Sequence, residues 1–179
     1  VCEMHEFRIM IEDSKFLVKF VRDHSRVKKL YSGTALQLFS ETRFCGASIM
    51  MNSLNNNKDN IHNLLDDNDF DEVSTSVKPT TGHINPKEEF QDITTNGQWW
   101  ANATSFGDLI RLIARACALS ETQGVCSAHV YPLLKALNKD IGSWSAKAAN
   151  KTNWSEATLE AIGESVQNRW AGSGQRVGA

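Results

Sequence analysis

The chain has 179 residues, of which 41% are hydrophobic, and a formal net charge of −2. This length supports one ordinary hydrophobic core or a part of a larger one. Its four scattered cysteines are too few for a disulfide scaffold and favour a reducing compartment. No apolar run approaches the roughly 18 residues of a membrane-spanning helix, and no signal peptide begins the chain, so we expect neither a membrane anchor nor secretion.

Charge is distributed unevenly along the chain. Residues 1–55 carry eight Lys/Arg and six Asp/Glu, residues 56–95 carry three and nine, and residues 96–179 carry eight and six. A duplex-binding surface normally has a concentrated cationic patch, and none of these parts is basic enough to predict nucleic-acid binding from charge alone. The acidic middle contains the turn-like sequence PTTGHINP. It predicts a flexible linker over residues 66–96.

Apolar residues recur at spacings of three and four over the first 65 residues, which is typical of core-facing helices. The stripes predict helices over residues 4–24, residues 25–38 and residues 47–65. Between the second and the third stands the run Glu41-Thr42-Arg43-Phe44. Arg43 and Phe44 are therefore predicted to lie at a helix-to-helix corner.

The C-terminal half also has helical periodicity and no segment that alternates β-branched with polar residues. Ordered structure is predicted to resume near Trp99-Trp100, followed by a helix from Val130 to Trp144 and a helix with Ser155 as its N-cap. We therefore predict an all-α fold. Its parts are an N-terminal helical segment (1–65), the acidic flexible linker (66–96), a C-terminal helical segment (97–170) and a disordered tail (171–179).

Three clusters suggest chemistry but also have simpler interpretations. Cys2 and His5 have Cys-x-x-His spacing, which could supply two of the four ligands of a zinc site, but the chain offers no matching second pair of ligands. The same two residues could also form a nucleophilic Cys-His pair. The acidic residues 66–72 could hold a hard cation, but they lack the EF-hand spacing and are expected to be solvated. The pair Trp99-Trp100 could stack on bases, although core packing is the expected role.

The pair Arg43-Phe44 is the strongest candidate for function. An arginine can bind a phosphate while an adjacent ring receives an unstacked base, a contact worth roughly 1–3 kcal/mol per base. Enzymes that open DNA ends need such a receiver for extruded bases. From the residues alone, Phe44 is also explained as an aromatic residue at the start of a helix, so both interpretations remain open.

The order of these elements resembles that of the hobo, Activator and Tam3 (hAT) transposases, in the branch with Thr-Arg-Phe at the corner. The matching segments over residues 1–170 are, in order, Cys2-x-x-His5 with Asp13 eight residues later, FLVKFVRDHSRVKKL, ETRFCGASIMMNSLNNNKDNIHNLL, QWWANATSFGDLIRLI, HVYPLLKALNKDI and Arg169-Trp170. The chain departs from the family at Phe7-Arg8-Ile9, where the family has Leu-Asn-Leu. It also lacks about one helix between Asp13 and Lys15.

The resemblance implies that the chain is the helical insertion region of a ribonuclease-H-like transposase domain. In the family, two Asp and one Glu hold two metal ions, expected to be magnesium, for phosphoryl transfer. The resemblance places all three outside this chain, so it assigns no catalytic or metal-binding residue here. Because the chain begins at Val1 and lacks the family's flanking regions, we expect a catalytically incomplete fragment.

The partners follow from the same resemblance. It implies DNA at transposon ends as the partner, Arg43 and Phe44 as the DNA-binding residues, and the nucleus as the location. A protein partner or a second copy of the chain remains open, and no membrane is expected. The alternative function is an all-α protein-interaction module, recruited from a transposon, without a role on DNA.

Overall fold

A computed structural model describes residues 5–39, 46–74, 85–120 and 127–164. Their helices are α1 (His5–Asp23), α2 (Ser25–Leu30), α3 (Gly46–Asn56), α4 (Lys58–Leu65), α5 (Phe70–Ser74), α6 (Pro86–Thr95), α7 (Gly97–Ser120) and α8 (Ser127–Ala148). Residues 156–164 are also helical, and the described residues contain no strand. The prediction of an all-α fold is confirmed.

Helix α1 lies in the centre of the core. It buries one continuous apolar stripe, consisting of Phe7, Met10, Ile11, Leu17, Val18, Phe20 and Val21. Near its start, Phe7 stacks on Phe106 of α7 with ring centroids 4.7 Å apart. Near its end, Phe20 stacks on Phe90 of α6 at 4.4 Å. The prediction of a core-facing helix over residues 4–24 is therefore confirmed, and α1 joins distant parts of the chain in one core.

The structure differs from the flexible linker predicted over residues 66–96. Helices α5 and α6 lie within this range, while residues 75–84 are outside the described residues. Phe70 in α5 is 1% exposed and Phe90 in α6 is fully buried, and both rings pack near Phe20. Acidic residues and turn formers dominate the composition of this range and favoured a flexible linker. Burial of the two aromatic residues stabilises α5 and α6 instead.

A buried amide accounts for two further differences. Helix α2 ends at Leu30, whereas the apolar stripe predicted a helix to residue 38. The backbone N–H of Thr34 instead donates to Oδ1 of Asn57 (2.9 Å), and Nδ2 of Asn57 donates to the carbonyl oxygen of Ser53 (2.7 Å). Asn57 is 1% exposed and separates α3 from α4, where one long helix was predicted. Its side chain has to reach a distant backbone group, and no local periodicity encodes that contact.

The tryptophan pair lies in the first turn of α7. The backbone N–H of Trp99 donates to Oδ1 of Asn96 (3.0 Å), and the indole N–H of Trp100 donates to the carbonyl oxygen of Thr94 (2.8 Å). Trp99 is 7% exposed and Trp100 is 1% exposed. The expectation of core packing is confirmed, since neither ring is open for stacking on a base.

Two later helix starts follow ordinary capping chemistry. The hydroxyl of Ser155 accepts the backbone N–H of Thr158 (3.1 Å), so the predicted N-cap is confirmed. The side chain of Asn85 accepts the backbone N–H of Lys87 (3.1 Å) at the start of α6.

In the described ranges, no helix combines the length and hydropathy needed to cross a bilayer.

The burial of Phe90 gives a direct test of the packed state of α6. Phe90→Ala should lower the free energy of unfolding by about 3–5 kcal/mol, because it removes a large buried ring and leaves a cavity. Asp92→Ala, on the exposed side of the same helix, is the matched control and should change it by less than about 0.5 kcal/mol. Chemical denaturation of both variants measures the difference. Equal values would contradict the packing of α6 against the core.

Candidate nucleic-acid interface

Cationic side chains are concentrated on the second half of α1 and on α2. Residues 15–30 contain six Lys or Arg and one Asp, although the whole chain has a net charge of −2. We call this set the cationic face; its members are Lys15, Lys19, Arg22, Arg26, Lys28 and Lys29. The first three are spaced four and three residues apart, so they form one stripe along α1. Averaging over residues 1–55 hides this concentration of charge, whereas a window of one or two helices reveals it.

Much of the cationic face is not neutralised by acidic side chains. Lys15 lies 3.1 Å from Glu12, and Arg22 lies 3.1 Å from Asp23. The other four cations are exposed and form no salt bridge with any residue that the structure describes; they are Lys19, Arg26, Lys28 and Lys29. Exposed cations without protein partners are available to bind an anionic polymer.

Residues 31–39 follow α2 and form no helix; we call them the extended segment. Thr34 binds Asn57 as described above, and the backbone N–H of Gln37 donates to Oγ of Ser53 (2.9 Å). At the end of the segment, the ammonium group of Lys15 lies 4.9 Å from the ring centroid of Phe39. The extended segment is thus held on α3 and α4 at two points, and its last residue contacts the cationic face.

Arg43 and Phe44 lie in residues 40–45, outside the described residues. On one side of them, Phe39 is next to Lys15, and on the other side Ala47 is buried in the core at 3% exposure. The structure therefore describes both flanks of the corner. The DNA-binding role of the pair itself stays a prediction from the sequence.

Comparisons of the chain with protein-family models, with curated proteins and with solved structures found no match. The resemblance to hAT transposases accordingly rests on the order of motifs in the sequence.

The other sequence clusters have a plainer geometry. His5 is exposed at the first residue of α1, and Cys2 lies outside the described residues. Residues 66–72 are exposed apart from the buried Phe70, and Asp71 pairs with Lys87 at 2.9 Å. Among the described residues, no group of three or more His, Cys, Asp and Glu side chains is arranged to hold a metal ion.

A half-buried carboxylate joins α1 to α7. Oδ2 of Asp13 accepts the indole N–H of Trp99 at 2.9 Å, across 86 positions of sequence. Burial raises the pKa of Asp13, and the hydrogen bond from Trp99 opposes that rise in part. The sequence marked both residues as motif positions, but no spacing rule indicated that their side chains would meet.

The raised pKa of Asp13 predicts the pH dependence of a variant. Ionised Asp13 disfavours the folded state, so this contribution lowers stability as pH rises from the unfolded value of about 4 through the raised folded value. Asp13→Asn cannot ionise and its carbonyl oxygen still accepts from Trp99. It should therefore have a higher Tm than the parent at pH 7, and the difference should disappear as pH falls towards about 4.

Asp13→Ala is the control, because it removes the acceptor as well as the charge. It should destabilise the fold by about 1–3 kcal/mol through the unpaired indole N–H of Trp99. Thermal unfolding of the three proteins across the pH range makes the measurement. A lower Tm for Asp13→Asn at pH 7, with a deficit that grows with pH, would show that the ionised carboxylate stabilises the fold.

Proposed function

We propose that the chain is the helical insertion region of a hAT-type transposase and that it binds DNA. The observation that carries the proposal is the cationic face, which concentrates six cations on two consecutive helices of a chain with a net charge of −2. The order of motifs supports the transposase origin. The intact parent would cut DNA in the nucleus with magnesium ions held by carboxylates that lie outside this chain.

The physical basis of binding is the release of counterions from DNA phosphates. Each phosphate that a Lys or Arg neutralises contributes about −0.9 to the slope of log affinity against log salt. Lys19, Arg26, Lys28 and Lys29 do not have to break a described salt bridge before they bind. Four such contacts would give a slope of roughly −3 to −4.

Arg43 and Phe44 provide the proposed selectivity for opened DNA. The extended segment ends at Phe39, whose ring lies beside Lys15 of the cationic face, and Arg43 and Phe44 follow four and five residues later in the sequence. In this proposal the cationic face binds the backbone, Arg43 adds a phosphate contact, and the ring of Phe44 stacks on a base that has left the duplex. Backbone contacts supply affinity, and the stacked base supplies the preference for broken or distorted ends.

The alternative of a protein-interaction module has no specific support from the described surface. The exposed large apolar side chains among the described residues lie on four different helices; they are Ile9, Ile49, Leu119 and Tyr131. Scattered apolar residues of this kind occur on most protein surfaces. A weak or absent salt dependence of DNA binding would favour this alternative.

The first experiment removes three cations of the cationic face. Lys19→Gln/Lys28→Gln/Lys29→Gln should reduce the steepness of the salt slope by roughly 3, since each phosphate contact contributes close to one. Fluorescence anisotropy of a labelled duplex between about 50 and 200 mM salt measures it. Lys135→Gln/Lys139→Gln/Lys147→Gln on α8 has the same change in charge and should retain most of the slope. Equal losses, or no salt-dependent binding by the parent protein, would favour the interaction module.

The second experiment tests the base receiver. Phe44→Ala should weaken binding to DNA with an extrahelical base by about 5- to 100-fold, the loss expected for one stacked base. Binding to the intact duplex should change little. Phe44→Trp keeps an aromatic ring, as in the Thr-Arg-Trp members of the family, and should retain the preference. Equal weakening on both DNA substrates, or none, would remove Phe44 from the site.

A further inference from the structure

We infer that the acidic stretch of residues 66–72 restrains DNA binding by the cationic face through electrostatic repulsion of the phosphates. The inference rests on the proposed function, because it concerns regulation of the same surface. The acidic stretch comprises Asp66, Asp67, Asp69, Asp71 and Glu72, and all five are exposed.

Packing fixes this stretch next to the cations. Helix α5 packs directly against α2, which carries Arg26, Lys28 and Lys29. The anchor is Phe70, which is 1% exposed and whose ring centroid lies 6.4 Å from that of Phe20. Upstream, the backbone N–H of Asp69 donates to Oδ1 of Asp67 (2.9 Å) and closes the turn before α5. The acids are therefore held near α2 by buried contacts and by a hydrogen-bonded turn.

No salt bridge joins Asp66, Asp67 or Asp69 to a cation of α2 among the described residues, whereas Asp71 pairs with Lys87 of α6 at 2.9 Å. The charges of Asp66, Asp67 and Asp69 therefore act on the solvent next to them, as the cations of α2 do. A phosphate that approaches α2 is attracted by the cations and repelled by these acids, and salt screens both effects over a Debye length of ~8 Å at physiological ionic strength.

The size of the effect follows from Coulomb's law in water. One acid about 10 Å from a bound phosphate weakens binding by roughly two-fold at low salt. Two such acids together weaken it by roughly four-fold, and the effect shrinks as salt screens the charges. The acidic stretch thus makes the interface more dependent on ionic strength and limits its affinity for DNA.

The test is a variant in which acids are neutralised with little change in shape. Asp66→Asn/Asp69→Asn removes two negative charges and leaves the turn acceptor Asp67 and the ion pair of Asp71 unchanged. Glu160→Gln/Glu164→Gln changes the net charge equally at two exposed positions. These control residues belong to the helix whose Thr158 contacts Glu6, and Glu6 lies roughly 25 Å along α1 from Asp23.

Anisotropy titrations of a labelled duplex with the parent protein and both variants give the outcome, and thermal unfolding checks that each variant is folded. The acidic-stretch variant should bind about four-fold more tightly than the parent at low salt, the control less than two-fold, and the difference should shrink at high salt. If the parent binds the duplex and both variants bind it with equal affinity, this inference alone is overturned. If none of the three proteins binds the duplex, both this inference and the proposed function are overturned.

Discussion

The core is organised around the burial of an aromatic residue near each end of α1. Phe7 stacks on Phe106 and Phe20 stacks on Phe90, so rings from α7 and α6 fix the helix at two points about 20 Å apart. A helix fixed in this way cannot rotate without exposing its apolar stripe. The stripe of Lys15, Lys19 and Arg22 lies outside that buried stripe, and its presentation to solvent therefore follows from core packing.

The sequence predicted those features whose cause is local. Helix α1 has an uninterrupted period of three and four, and Ser155 caps its helix through a backbone N–H three residues away, so both were predictable. Asn57 shows the opposite case. Its amide binds Thr34 across 23 positions, and this contact ends one predicted helix and divides another. A polar contact over that distance has no periodic signature, and the sequence alone favoured continued helices.

Average composition concealed the decisive residues in two places, the acidic range of residues 66–96 and the cationic face. In both places, a few residues determine the local structure or surface charge, and averaging over many residues hides them. Phe70 and Phe90 are a small fraction of an acidic range, yet their buried rings hold α5 and α6 against α1. Six cations within residues 15–30 are balanced by acids elsewhere, yet they share two consecutive helices. Charge acts over about a Debye length, so the local surface matters more than the net charge of the chain.

The hydrogen bond between Asp13 and Trp99 adds a directional element to this arrangement. Apolar packing tolerates small rotations of a helix, whereas an indole N–H that donates to a carboxylate at 2.9 Å restricts them. Asp13 lies roughly 160° around α1 from Lys15, so the bond acts on the side of the helix remote from the cationic stripe. It therefore sets the rotation of α1 against α7 without occupying the surface that faces solvent. Two positions that the sequence marked in separate motifs thus have one structural task in this chain, and that task holds whatever family the chain descends from.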